Sequence, residues 1–384
     1  MKKKDFIDEQ RKGLRTWIEI DSSALKKNFE TFRKLKGRNG LLMGVVKSNA
    51  YGHGLIETAT LLSHLGISWI GVDSITEALA LRENNIRKQI LVLGYTLPER
   101  LADALHNNIS LTISSMAGLQ ALEALGPYAT LNIHLKVDTG MHRQGFLPEE
   151  LPAVLEYVAA KLPHVHIEGI YTHFAAAKDP NDRKDTDRQI KKFEEALAYV
   201  KEKKLKIIRH ASATGATLLF PQARYDLLRI GIGMYGLWPA EEVCIHCENK
   251  VQLSPILSWR TIVSEVKQIR AEESVGYNFT ERVSRDTLIA ILPIGYWHGY
   301  SRVLSSIGRV LVRGARAKVL GRISMDMTAV DVTDIMSVKV GDVVTLIGTD
   351  GKEEVSADEL AERCGKINYE IVTELNPRIK RIVV

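Results

Sequence analysis

From about residue 40 to about residue 236 the chain repeats one local pattern: a short run of apolar and β-branched residues, then a stretch of helical period. The eight runs are Leu41–Val46, Ser68–Val72, Gln89–Leu93, Ser110–Ile113, Leu131–Val137, Val165–Tyr171, Ile207–His210 and Leu227–Gly231. Helical segments such as Thr76–Asn84 and Asp187–Glu202 lie between them. Unbroken apolar runs suit strands buried on both faces, and parallel strands need crossover helices to join them. Eight such units in one block predict an N-terminal (β/α)8 TIM-like barrel of the α/β class.

After Pro239 the texture changes to alternating strands without long helices: Ile256–Val266, Thr287–Ile294, Val310–Val319, Thr328–Val332 and Val343–Gly348, with a hairpin turn at Asp350-Gly351. A barrel over residues 22–240 and a separate, mostly-β C-terminal domain over residues 251–384 are therefore expected. Arg15–Ile20 also alternates, so an N-terminal strand within residues 1–21 is expected to join the β domain. Asp21 or Ser22 then caps a helix that carries Leu25, Phe29 and Phe32 on one face and ends before Gly37.

Composition narrows the function classes. The net charge of +6 is spread over solvated faces such as Lys2–Lys4 and Lys201–Lys206, without the interleaved aromatics of a nucleic-acid surface. Such a chain still attracts anionic ligands. Three cysteines make no disulfide framework, and no apolar stretch approaches the roughly 18 residues of a membrane span. Lys2–Lys4 imitate the start of a signal peptide, but Asp5–Gln10 stands where an apolar stretch is required, so a cytoplasmic protein is expected. Cys244-Ile245-His246-Cys247 is half of a zinc site with no second half in the chain, so no metal is expected and the segment reads as an interdomain loop.

In a barrel the chemistry gathers at the C-terminal ends of the strands. Those ends carry Lys47, the run Lys136 to Arg143, His173, His210 and Arg229. Two readings of Lys47 stand side by side. It is a Schiff-base lysine whose amine is made neutral by desolvation, or it snorkels out of a core strand. Three basic or aromatic groups around one lysine suit a planar anionic cofactor. Gly231-Ile232-Gly233-Met234-Tyr235-Gly236 matches G-x-G-x-x-G, yet it follows the last strand and precedes Trp238-Pro239 in place of a sustained helix. Its amides fit a phosphate better than a dinucleotide.

Taken in order, Val45 to Gly54, Lys136 to Arg143, Gly169 to Phe174, Arg229 to Gly236, Leu292 to Tyr296, Gly321 to Met327 and Ile367 to Glu370 resemble the bacterial alanine racemases over nearly the whole chain. That family uses pyridoxal 5'-phosphate. The resemblance implies that Lys47 carries the cofactor and acts as one acid/base group. Tyr277 is implied as the second, entering from the other subunit of a homodimer. Racemisation needs such a pair, because a proton leaves one face of a planar carbanion and arrives on the other.

By the same resemblance, Arg229 faces the pyridine nitrogen, and His210 and Arg229 give Tyr277 the positive neighbours that a tyrosine base requires. His173 packs on the ring, while Tyr51, Tyr369, Thr214 and the amides of Gly231 and Ile232 hold the phosphate. Arg143 meets the cofactor's phenolate and the substrate carboxylate, and a carbamylated Lys136 braces it. Tyr296, Met325 and Asp326 narrow the entrance from the partner. The implied activity is interconversion of L- and D-alanine for peptidoglycan precursors. The alternatives are a racemase of wider range that includes serine, a barrel-type amino-acid decarboxylase, and a non-catalytic cofactor-binding barrel; Arg229 and the β domain with Tyr277 argue against the last two. Two departures from the family pattern stand out: Trp297-His298 follows Gly295-Tyr296 where Ala-Asp is usual, and Ala213 stands where asparagine is frequent.

Overall fold

A computed structural model describes residues 7, 9–37, 40–126 and 130–384; the Lys2–Lys4 tail lies outside the described residues. The chain divides into two compact units, one formed by the N-terminal segment as far as Leu25 with Tyr51–Glu57 and Pro255–Val384, the other by Lys26–Ala50 and Thr58–Ser254. Among the described residues no helix is long and apolar enough to cross a membrane.

A first strand, β1 (Thr16–Ile20), belongs to the sheet of the first unit. The second unit is a nearly closed sheet of eight parallel strands: β2 (Leu41–Val45), β3 (Trp69–Val72), β4 (Gln89–Val92), β5 (Ser110–Ile113), β6 (Leu131–Lys136), β7 (Val165–Tyr171), β8 (Ile208–His210) and β9 (Leu227–Ile230). Neighbours follow the order β9-β2-β3-β4-β5-β6-β7-β8, as the eightfold repeat predicts. At the seam between β8 and β9, Asp226 N donates to Arg209 O at 2.9 Å and Arg229 N to Ser212 O at 3.0 Å. The helices are Ile75–Glu83 and Lys184–Glu202 where Thr76–Asn84 and Asp187–Glu202 were expected.

One irregularity matters for the site. β6 and β7 pair Ile133 with Ile167 and then His134 with Gly169, so Glu168 is an extra residue in β7. Such a bulge re-aims a side chain. Gly169 completes the arrangement, because a Cβ there would lie 2.3 Å from His134 Nδ1.

The first unit is mostly antiparallel. Its strand order is Glu265–Ile269, Thr287–Leu292, Thr328–Asp331, Ala315–Leu320, Arg309–Val312, Val343–Asp350, Leu257–Ile262, β1 and Lys380–Val383, with only the last pair parallel. Trp17, Trp259 and Tyr300 fill its core. Both indole N–H groups are satisfied, Trp259 by Thr16 Oγ1 at 3.0 Å and Trp17 by Glu19 Oε1 at 2.9 Å. The turn at Asp350-Gly351 joins Val343–Asp350 to Glu353–Val355. The helix cap is Asp21, whose Oδ1 accepts from Ser23 N and Ala24 N.

Three expectations require correction. Ile256–Val266 and Val310–Val319 are not single strands; each is broken, at Val263-Ser264 and at Arg313-Gly314. The alternation of apolar and polar residues continues across both breaks, and the second rests on positive φ at both Arg313 and Gly314. The Cys244–Cys247 segment is not a loop but part of the helix Glu241–Cys247, opened by two acidic residues that complement the helix dipole.

Candidate active site

Lys47 follows β2 directly and opens a turn in which Ser48, Asn49, Ala50 and Tyr51 all have φ between 53° and 55°. Left-handed backbone costs non-glycine residues roughly 1–2 kcal/mol each, so the surroundings must hold it. Val46 O accepts from Ala50 N at 2.7 Å, and the Glu77 carboxylate takes Ser48 N at 2.6 Å and Asp73 N at 2.8 Å. The turn presents Lys47 at the mouth of the barrel. Its side chain is 39% exposed, and Nζ lies 3.6 Å from Asp73 Oδ1. The expected desolvation is therefore not met: the amine stands beyond the last buried residue of its strand, beside a carboxylate.

Arg229 is the hub of the site. Buried at the end of β9, it donates through Nη2 to Thr172 O at 2.8 Å, Ala211 O at 2.9 Å and His173 Nδ1 at 3.3 Å, and through Nη1 to His210 Nδ1 at 3.0 Å. An arginine only donates, so the facing nitrogens of both imidazoles are acceptors. His210 Nε2 then donates to His134 Nδ1 at 2.9 Å, and His134 Nε2 lies 3.5 Å from Glu168 Oε2, an ion-pair distance. Ser110 Oγ donates to the same carboxylate oxygen at 2.6 Å. The direction of both imidazole hydrogen bonds follows from the guanidinium, which can only donate.

The electrostatics agree with that assignment. Burial and the Arg229 charge hold His210 well below the usual histidine value, and burial does the same for His134. His173 is pushed down to about 3 by burial, then by Arg229, Arg143, Lys136 and Lys47. His210 is thus a neutral acceptor, not the positive neighbour expected for a tyrosine base. Burial brings Arg229 down to about 10, which leaves it a cation at neutral pH.

Tyr171 lies at the centre of these groups. It stacks on His210 with centroids 4.6 Å apart, and Arg229 and Lys136 stand over its ring at 5.0 Å and 5.5 Å. Lys136 donates to Gln144 Oε1 at 3.1 Å; burial and the nearby Arg143 lower its pKa to about 8. Arg143 itself is exposed. The loop that carries it is ordered by Asp138 Oδ1, which accepts from the amides of Gly140, Met141 and His142.

The glycine-rich segment after β9 is a 3-10 turn, Ile232–Tyr235, anchored by Tyr235 Oη donating to Val45 O at 2.8 Å. Thr214 Oγ1 accepts from Gly233 N at 3.3 Å, so its hydroxyl hydrogen is available to an anion. Gly233 permits this approach, since a Cβ there would meet Phe32 and Thr214 at 2.6 Å. Ala213 provides no side-chain cap for the helix Thr214–Leu219.

The remaining expected residues belong to the other unit. Tyr51 and Tyr369 have ring centroids 6.0 Å apart. Tyr296 and Met325 are exposed, on segments joined by Tyr296 N donating to Ser324 O at 3.1 Å and Trp297 N to Met325 O at 3.0 Å. Tyr277 stands apart on its own loop between Ser274–Val275 and Glu281–Arg282, 66% exposed beside Phe279 at 76%. Asn278 and Phe279 there have φ of 60° and 50°, strain that projects two aromatic rings into solvent.

Sequence reasoning missed His134, Glu168 and Tyr171, which lie within strands and not beyond them. The polar residues in otherwise apolar runs, Asn132-Ile133-His134 and His166-Ile167-Glu168, were the available signal.

Comparison with known proteins agrees over both units. The family model for the N-terminal domain of alanine racemase matches residues 20–239, and that for the C-terminal domain matches residues 256–383. The chain is 41% identical over 376 residues to an alanine racemase of Leptospira interrogans, covering 96% of each, and 40% identical over 371 residues to one of Methanococcus maripaludis, covering 95% of this chain and 98% of that one. The solved alanine racemase of Bacillus anthracis with bound L-Ala-P superposes with a TM-score of 0.90 at 34% identity, over 96% of this chain and 95% of that one. With its parallel barrel, its separate β unit and full-length likeness to these isomerases, the chain belongs to the alanine racemase family.

Proposed function

We propose that this protein interconverts L- and D-alanine with pyridoxal 5'-phosphate at Lys47, as a homodimer in which Tyr277 of the partner subunit completes each site. The observation that carries this reading is the strained turn that holds Lys47 at the barrel mouth, in a unit whose strand ends gather Lys136, Arg143 and Arg229 around a neutral histidine. That charge balance fits a planar anion, and the Thr214 hydroxyl with the Gly231 and Ile232 amides fits its phosphate. Tyr51 and Tyr369 are the proposed further phosphate donors. When bound, the cofactor supplies an electron sink that acidifies the substrate α-hydrogen.

The chain's own residues do the rest. Lys47 Nζ takes or returns a proton on one face of the α-carbon, and Tyr277 Oη of the partner subunit does so on the other. Arg229, fixed by two carbonyls and two imidazoles, would offer a cation to the cofactor's pyridine nitrogen, which would disfavour its protonation and with it transamination and decarboxylation. His173 would pack on the cofactor ring as a neutral imidazole. Arg143 binds the substrate carboxylate, and Tyr296, Met325 and Asp326 restrict the entrance to a small side chain.

Lys136 adds a testable detail. With a pKa of about 8 its amine is neutral in on the order of a tenth of molecules at pH 7, and only the neutral amine adds carbon dioxide. A carbamate there would be an anion able to brace Arg143. A carbon-13 carbamate signal is expected after equilibration with labelled bicarbonate, and its survival in Lys136→Ala would rule out this site.

The function itself is tested by purification, an absorbance spectrum and racemisation assays on a panel of amino acids. A yellow protein with alanine among its best substrates is expected. Preference for serine would replace alanine as the substrate, and carbon dioxide release would indicate a decarboxylase. Supply of D-alanine for peptidoglycan is the proposed use, to be checked by D-alanine rescue of a strain lacking the gene.

A further inference from the structure

The segments that carry the proposed entrance residues, 295–299 and 321–327, share one unusual side chain. His298 is 6% exposed. It closes the Tyr296–His298 turn twice: its N–H donates to Gly295 O at 3.0 Å, and its Nδ1 accepts from Gly295 N at 3.2 Å. Accepting that bond requires a lone pair on Nδ1, hence a neutral ring with its hydrogen on Nε2. Asp326 Oδ1 stands 4.0 Å from the same Nδ1. A carboxylate and a lone pair repel. A proton on Nδ1 reverses both relations, because the ring loses its acceptor for Gly295 and gains an attraction to Asp326.

We propose that His298 is a positioning residue whose Nδ1 exchanges the Gly295 amide for the Asp326 carboxylate on protonation, moving the Tyr296 turn against the Met325 loop and weakening alanine binding. The proposal rests on the reading that these residues border the substrate entrance. The segments are already coupled through Tyr296 N to Ser324 O and Trp297 N to Met325 O, so movement of either is felt by both. Burial lowers the affinity of the ring for a proton, Asp326 raises it, Arg15 lowers it again and a backbone hydrogen bond with Gly295 raises it, with a net decrease. From the segment packed behind, Asn376 N donates to His298 O, while the Glu374 carboxylate is engaged by Lys366 at 2.6 Å. The neutral, turn-closing ring therefore dominates at neutral pH. KM is expected to rise as pH falls below the ordinary histidine value near roughly 6.5.

The test uses the full-length holoenzyme with His298→Asn and His298→Ala. Asparagine offers Gly295 an acceptor that does not titrate. Its KM for alanine should match the unaltered protein near neutrality and lack the rise in acid, with kcat unchanged. Alanine as the replacement should raise KM at every pH by between about twofold and about tenfold, the range of one side-chain-to-backbone hydrogen bond. Trp297 emission, isolated by difference from Trp297→Phe, should titrate in the unaltered protein and not in His298→Asn. The same acid rise of KM and emission change in His298→Asn would overturn the proposal. An emission change that depends on His298 while KM stays constant would instead overturn the entrance assignment and with it the effect on binding.

Discussion

Lys47→Ala is expected to lose both the yellow absorbance of the bound cofactor and all measurable racemisation. Removing a single general base costs roughly 10² to 10⁴ in rate, and Lys47 is proposed as covalent anchor and base together, so the loss exceeds that range. The fold has little reason to fail. The side chain is 39% exposed and its ion pair with Asp73, at 3.6 Å, lies in solvent, where such pairs contribute little. The left-handed turn is held by backbone groups and Glu77, none of which alanine removes. An absorbance spectrum after dialysis and a racemisation assay check this. Colour that survives dialysis would move the anchor to another lysine, with Lys136 and its lowered pKa the first candidate.

Tyr277→Phe is expected to keep the colour and lose α-proton exchange for one enantiomer by roughly 10² to 10⁴. Phenylalanine retains the ring that the strained loop projects and deletes only the hydroxyl. A selective loss is therefore a statement about proton transfer, not about the shape of the loop. The check is deuterium incorporation from solvent, starting separately from L- and D-alanine. Undiminished exchange from both enantiomers would remove the two-base assignment.

The barrel was legible because its strands are buried on both faces and so read as unbroken apolar runs of distinct length. The alternating strands of the β unit were less legible. Gly314 was the available sign of the second break, although Arg313-Gly314 lacks the asparagine or aspartate that usually precedes it, and Val263-Ser264 carries no glycine, proline, asparagine or aspartate. At the site, Lys47, His210 and Arg229 were legible because strand ends are where a barrel gathers chemistry. His134 and Glu168 were not, since a one-residue bulge in β7 brings the carboxylate to the imidazole and periodicity cannot show a bulge. Tyr277, Tyr296 and Met325 were legible only through resemblance; from their own sequence Tyr296 and Met325 read better as the core of a β sheet. In the folded chain all three are exposed and none belongs to the core of the β unit.

The central claim, that each site takes Lys47 from one subunit and Tyr277 from the other, is tested most directly by mixing the two inactive variants. Lys47→Ala and Tyr277→Phe are unfolded together, refolded together and assayed. In a mixed dimer one site loses both groups and the other regains both. Random pairing should therefore restore about a quarter of the unaltered activity, since about half the dimers are mixed and each has one intact site. If Lys47 and Tyr277 serve the same subunit's site, every site in the mixture lacks one of them and no activity returns.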